Sequence, residues 1–473
     1  MKKIIFILSL LAGTLGFTAC NDYLDIVPKG SKIPTTLADY EALLLDEYTI
    51  GYTPLTNGLY LLNDCFMGKT SLSGNTIARA NYMWNEDANR IELNSADEDV
   101  FYYSYSAISS CNLLLENVPA ATQATQAQKN EVMAYARVIR ALCYFNLVNY
   151  YADTYDAATA AQTRGVPLIT SANIGAKYEQ VSVQQIYDFI LNDIQTALQN
   201  GLPEKGKTII HPGQGAAYAL LARVYLQMQN YDEALNNAEK ALSYNDKLYD
   251  WISFYENNEA QINMSGAYPT LQSPMGYDYV ESYYFRCCGA SPNYQTSEDK
   301  LPVERTARFE KGDARFLSRW KERTVGEDTY YQSLLRGYFN YGGMTTTEMY
   351  LIKAECLARK AAGNDFTAAM QALDAVRATR ILPQSYQPST AATLAEAIEK
   401  IRRTKDNELI SSFVPFADAR RFNHEGTYAR TMTKTYDGKT YTLKPDSHLW
   451  TMPFPQGATN NPGSGSIQQN VSK

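Results

Sequence analysis

From Asp97 onward apolar residues recur at three- and four-residue steps, the period of amphipathic helices. DEDVFYYSYSAISSCNLLLENV and AQKNEVMAYARVIRALCYFNLVNYYAD read as two long helices. VSVQQIYDFILNDIQTALQ reads as a third, with Ser182 as its N-cap and Gly201-Leu202-Pro203 as its stop. Two stretches break the period. Residues 48–96 and 248–343 are rich in turn residues and aromatics and read as irregular. Loops of that length in a compact protein are either functional or disordered, and aromatic content argues against disorder.

A repeat is visible in HPGQGAAYALLARVYLQMQNYDEALNNAEKALSYN. Ala222, Tyr225, Ala234, Ala238 and Ala241 stand where a tetratricopeptide unit needs small or aromatic residues, so that two antiparallel helices can approach closely. TTTEMYLIKAECLARKAAGNDFTAAMQALDAVRATRILP repeats the pattern with two extra residues in its turn, and TLAEAIEKIRRTKDNELISSF adds a further helix. The expected fold is mainly α. It is a tetratricopeptide-like scaffold of about four helical pairs, at about 97–245 and 345–412, with aromatic-rich irregular loops forming a second lobe.

The N-terminus changes the picture of where this scaffold works. MKKIIFILSLLAGTLGFTAC has a basic start, an apolar run from Ile4 to Phe17, and small residues before Cys20. The run is shorter than the roughly 20 residues a membrane span needs, so residues 1–19 read as an export signal and 20–473 as a single domain. Cysteine at the cut site points to a lipoprotein, with Cys20 acylated; the alternative is an ordinary signal with an incidental cysteine.

A formal charge of −7 leaves no basic surplus for phosphates, which excludes nucleic acid as a partner. The seven cysteines show no CxxC pair or metal spacing, and Cys111, Cys143 and Cys356 fall inside apolar helical patterns as buried thiols. No metal or cofactor is expected. Only three histidines occur, His211, His424 and His448, none beside a nucleophile signature, so an enzyme is not expected. With 37 tyrosines the chain is instead suited to surfaces that hold ligands while staying wet, or to packing helices.

The order of these features resembles the SusD/RagB family, surface lipoproteins of Bacteroidota. The resemblance rests on CNDYLDIVP, AYARVIRALCYFNLVNYYAD with GVPLIT, SVQQIYDFILNDIQTAL, YDEALNNAEKAL, GDARF, TEMYLIKAECLAR, ELISSFVPFADARRFN, LWTMPFP and SIQQN. Phe17 stands where the family's lipobox has Leu, and KDNELISSF departs from its usual late-helix turn. What the resemblance implies is a non-enzymatic protein at the outer-membrane surface, tethered by Cys20. It would capture an oligosaccharide, or less favourably a peptide, and pass it to a SusC-like TonB-dependent barrel. Asp22 and Asp25 are then candidates for a surface-export signal or a plain solvated linker. A reading from a different class is a helical-repeat scaffold for another protein.

Sugar binding calls for aromatic faces against ring C–H groups and polar side chains for the hydroxyls. The resemblance places Tyr283, Tyr284 and Arg286 in a ligand-contacting loop, and Trp320 follows soon after GDARF. Asp64, Asn81, Tyr82 and Trp84 are the candidates of the other irregular region. Each has packing as its alternative. Trp251 and Trp450 read as core, and Arg137, Arg140, Arg420 and Arg421 as ion-pair partners of helix carboxylates.

Overall fold

The computed structural model describes residues 34–46, 56–94, 99–287 and 300–472. Cys20, Asp22, Asp25 and the leader lie outside the described residues. The molecule is mainly helical. Its scaffold runs through α1 (Asp99–Asn117), α2 (Gln126–Tyr151), α3 (Val183–Gln199), α4 (Gln214–Gln227) and α5 (Tyr231–Tyr244). After an insertion that contains α6 (Trp251–Ile262), it continues through α7 (Thr346–Lys360), α8 (Thr367–Arg377), α9 (Leu394–Glu408) and α10 (Val414–Glu425).

Local signals start and stop these helices. Thr125 and Gln128 form a capping box at the start of α2, and Ser182 with Gln185 does the same for α3, which ends before Gly201 at φ 100°. From Ala134 to Tyr151 only Arg137 escapes burial, because α2 is apolar on nearly every side and lies between α1 and α3. Arg140 grips Asp193 of α3 with Nε to Oδ2 and Nη2 to Oδ1, both at 2.8 Å, and Arg137 adds Nη1 to Oδ1 at 2.9 Å. Ala222, Ala234, Ala238 and Ala241 are fully buried where α4 meets α5, so the missing side-chain bulk sets the close approach. α5 then packs directly on α7, although about 100 residues separate them in the chain, and α7 carries both α8 and α9.

The intervening stretch is less irregular than its composition suggests. α6 begins at Asp250, whose carboxylate accepts from Ser253 N at 3.0 Å, and it buries Trp251, Tyr255 and Ile262. Strands Trp320–Val325 and Asp328–Ser333 form an antiparallel hairpin, with Lys300–Leu301 on the outer side of the second strand. A second hairpin pairs Met432–Tyr436 with Lys439–Leu443 around Asp437-Gly438, both with positive φ (49° and 70°), the backbone that a two-residue turn requires. Within residues 56–94 the chain folds into short helices, among them Thr56–Leu62 and Ile77–Tyr82. Fully buried Arg90 fastens that region to the late segment, donating to the carbonyls of His448, Leu449 and Thr451 at 2.9–3.2 Å.

Among the described residues no helix is long and apolar enough to cross a membrane. Cys65, Cys111, Cys143 and Cys356 are buried. Arg137, Arg140 and Arg421 pair with helix carboxylates, whereas Arg420 donates to the carbonyls of Asn149 and Ala152 and so caps the C-terminus of α2.

Candidate functional site

Two short helices each end in a residue forced into the left-handed region. Asn63, after Thr56–Leu62, has φ 54°, and Trp84, after Ile77–Tyr82, has φ 51°. Such a backbone is an outlier for a bulky tryptophan, and strain of about 1–3 kcal/mol persists only where its surroundings enforce it. Here the indole Nε1 donates to Leu61 O at 2.8 Å, and Asn63 Nδ2 donates to Tyr60 O at 2.8 Å and Tyr82 O at 3.2 Å. Both residues border one cavity of about 490 Å³, within the roughly 300–1,000 Å³ typical of small-ligand sites.

The cavity draws its walls from segments far apart in sequence. A 3₁₀ turn (Val303–Arg308) supplies Arg305 and Arg308, α9 supplies Arg402 and Asp406, α10 supplies Asn423, and the first strand of the late hairpin supplies Lys434. Arg305 donates to Asp64 Oδ1 at 2.5 Å and to Asn407 Oδ1 at 2.9 Å, a buried pair that holds the turn against the short helices. Lys434 lies over the rings of Tyr82 and Trp84, 3.9 and 4.7 Å from their centroids, and donates to Asn63 Oδ1 at 2.7 Å. Burial pushes the Lys434 ammonium down to about 7, against the opposing pull of Glu304. Burial also raises the Asp406 carboxyl above its ordinary range, although Arg402, Arg430 and Arg308 pull it down. Polar side chains that donate and accept, set beside indole and aliphatic surface, are what a polyhydroxylated ligand needs.

Residues 22–226 match a family model described as SusD-like, starch-binding and associating with the outer membrane. Over that part the chain is similar to the SusD-like family. One relative, SusD-like protein P25 of Formosa agariphila, is 23% identical over 239 residues, covering 48% of this chain and 43% of that protein. The fold match extends much further. A SusD superfamily protein from Bacteroides thetaiotaomicron superposes with TM-score 0.67 at 19% identity, covering 92% of this chain and all of the other. A SusD-like carbohydrate binding protein from Bacteroides vulgatus gives TM-score 0.64 at 16% identity, with 93% and 100% covered.

In this chain the expected ligand residues separate into groups. Asp64 and Trp84 border the cavity; both are nearly buried, Asp64 in its pair with Arg305. Asn81 and Tyr82 stand behind it. Asn81 accepts from Arg90 Nη1 at 3.0 Å, and the ring of Tyr82 carries Lys434. Tyr283, Tyr284 and Arg286 lie in the interior rather than on an exposed loop. The Tyr283 hydroxyl donates to Asn245 O at 2.6 Å, Tyr284 pairs with Met344 in a short antiparallel bridge, and Arg286 Nη1 reaches Cys143 Sγ at 3.4 Å. Trp320 is packed with Leu301 and Ile410, under the guanidinium of Arg319 at 4.4 Å. Of the two expected core tryptophans, Trp251 is core, while buried Trp450 also borders the cavity.

Sequence reasoning passed over Arg305, Arg308, Arg402, Asp406 and Lys434. Lys434 had a usable signal, since TKTYDGKTY alternates around Asp-Gly, the mark of a hairpin. For the others no local pattern distinguishes a cavity-facing charge from a solvated one.

Proposed function

We propose that this chain binds oligosaccharides in the cavity bordered by Trp84, Arg308, Arg402 and Lys434. In this reading residues 20–473 form one ligand-binding body, tethered to the outer-membrane surface through an acylated Cys20, and it passes its ligand to a SusC-like TonB-dependent barrel without chemical conversion. The observation that carries the reading is the cavity itself: strained Asn63 and Trp84 backbones held against a polar, partly aromatic wall of small-ligand size. The family's description as starch-binding and outer-membrane associated supports it, as does the shared fold with a protein described as carbohydrate binding. Peptide capture is the less favoured alternative.

Calorimetric titration with a panel of neutral and acidic oligosaccharides tests the binding. Thr433 is an exposed residue at the cavity rim, so Thr433→Trp fills the mouth without disturbing the core. The affinity for whichever saccharide binds is expected to fall at least about tenfold, with the circular dichroism unchanged. Undiminished affinity would place the site elsewhere, and selective binding of peptides would replace the ligand class. For the anchor, Cys20→Ser is expected to abolish acyl labelling and release the protein from the membrane fraction; retention of both refutes lipidation at Cys20.

A further inference from the structure

Charge is distributed unevenly around the cavity. Five cations, Arg305, Arg308, Arg402, Arg430 and Lys434, face three carboxylates, Asp64, Glu304 and Asp406. Internal pairing uses some of them. Arg305 takes Asp64, and Arg430 turns outward to pair with Glu399 while keeping 3.8 Å from Asp406. Arg308, with 40% of its side chain exposed, has only a 3.8 Å approach to the same Asp64. Arg402 donates to Tyr428 O at 2.9 Å and stacks on Phe422 at 4.5 Å; Lys434 rests on a carbonyl, an amide oxygen and two ring faces. Among the described residues neither Arg402 nor Lys434 forms an ion pair with a carboxylate.

Four other interior arginines are treated differently, although Arg90 and Arg420 are likewise held by carbonyls. Arg140, Arg223, Arg380 and Arg421 each meet a buried carboxylate at 2.6–2.8 Å. A cation withdrawn from water without a counter-charge is costly, and a group that raises the cost of the empty site is one a ligand can relieve. Arginine also offers paired N–H donors that fit carboxylate, sulfate and phosphate oxygens.

We propose that the cavity selects saccharides carrying a carboxylate or a sulfate group, with the anion seated among Arg308, Arg402 and Lys434 and the sugar ring against the Trp84 side. The proposal rests on the oligosaccharide reading above and narrows its ligand class. The titrating groups agree with it. Burial and neighbouring Arg305 push the Arg308 guanidinium down, burial holds Arg402 at about 10 despite Asp406, and a bound anion would return both, with Lys434, toward their ordinary ranges.

The test compares each acidic oligosaccharide, uronate-bearing or sulfated, with its methyl-esterified or desulfated counterpart, and includes inorganic sulfate as a separate probe followed by thermal shift. Wild type is expected to bind an acidic member at least about tenfold tighter than its neutral partner, with the preference shrinking in 0.5 M salt because Coulombic terms are screened. Arg308→Gln, chosen because Arg308 is partly exposed and loosely paired, is expected to lower acidic-saccharide affinity at least about tenfold more than neutral-saccharide affinity while leaving the melting temperature in place. Arg430→Gln serves as a second variant at the rim. Equal binding of acidic and neutral partners overturns the anion proposal and leaves the oligosaccharide reading standing. If no saccharide binds but sulfate stabilises wild type and not Arg308→Gln, the oligosaccharide reading fails and the anion site stands. If neither saccharide nor sulfate binds, both are refuted.

Discussion

Replacing Arg421 with leucine is expected to lower the unfolding free energy by about 3–5 kcal/mol in urea titration, the cost of leaving buried carboxylates without their counter-charge. Arg421 is fully buried on α10 and donates Nη1 and Nη2 to the two oxygens of Glu355 on α7, at 2.7 and 2.9 Å, with Nη2 also 3.3 Å from Asp418. Arg359 and Lys405 complete the cluster, Arg359 on Glu355 and Lys405 on Asp418. Burial alone would raise both carboxyls. Lys405 and Arg421 instead hold Asp418 at about 2, and Arg421 and Arg359 hold Glu355 below its ordinary value.

The sign of the pH dependence follows from those directions. Folded carboxylates with depressed pKa values contribute stability that is complete above their unfolded values of 3.8 and 4.5 and is lost as pH falls toward 2. Wild type should therefore lose stability on acidification through that window. The gap between wild type and Arg421→Leu should narrow over the same range, because protonation removes the charges that the arginine serves. A gap independent of pH between 5 and about 2.5 would show that lost packing, not charge, dominates the variant.

Arg380→Met is expected to cost a similar ~3–5 kcal/mol and, in addition, to loosen the insertion between α5 and α7. The Arg380 side chain is fully buried. It donates to Glu281 at 2.6 Å, to Glu408 at 3.0 Å, to Thr347 Oγ1 at 2.8 Å and to Tyr249 O at 2.7 Å. Glu408 and Thr347 belong to the helical scaffold, Tyr249 and Glu281 to the insertion, so a single guanidinium closes the junction between them. Backbone bonds from Ala314 N to Arg380 O and from Trp251 N to Thr379 O converge there as well. Amide hydrogen exchange at Trp251 and Ala314 is therefore expected to accelerate well beyond that in α2. Uniform acceleration across the molecule would mean that the loss is global and that Arg380 has no special part in the junction.

The scaffold was readable because its signals are local. Ser182 caps α3 where its side chain stands three residues before Gln185, and the alanines of α4 and α5 mark their contact wherever else the chain goes. The late FADARRFN stretch, quoted only as a motif, forms α10, and Arg421 on it is the ion-pair partner that the sequence reading expected. Arg420, its neighbour, was read the same way but meets instead the carbonyl end of α2, about 270 residues earlier, which no local pattern could indicate. α6 was misread as loop since its apolar positions are few and turn residues surround it; burial of Trp251, Tyr255 and Ile262 decides its place.

The candidate site was readable only in part. Asp64 and Trp84 fall where the aromatic irregular region suggested, yet Tyr283, Tyr284 and Trp320, which share their residue types with sugar platforms, are packed in the interior. Composition reports that an aromatic is present, not which face it shows. By itself the sequence determined the helical-pair scaffold, the caps that bound it, and the absence of a basic surplus. Helix periodicity and capping act over one to four residues, which is why they survive in a linear reading. The tertiary structure alone decided where the candidate cavity lies and what charge lines it. Its walls come from residues 62–64, 84, 304–308, 402–406, 415–434 and 450, and whether each charge there is spent on a neighbour or left for a ligand depends on distances set only when those segments meet.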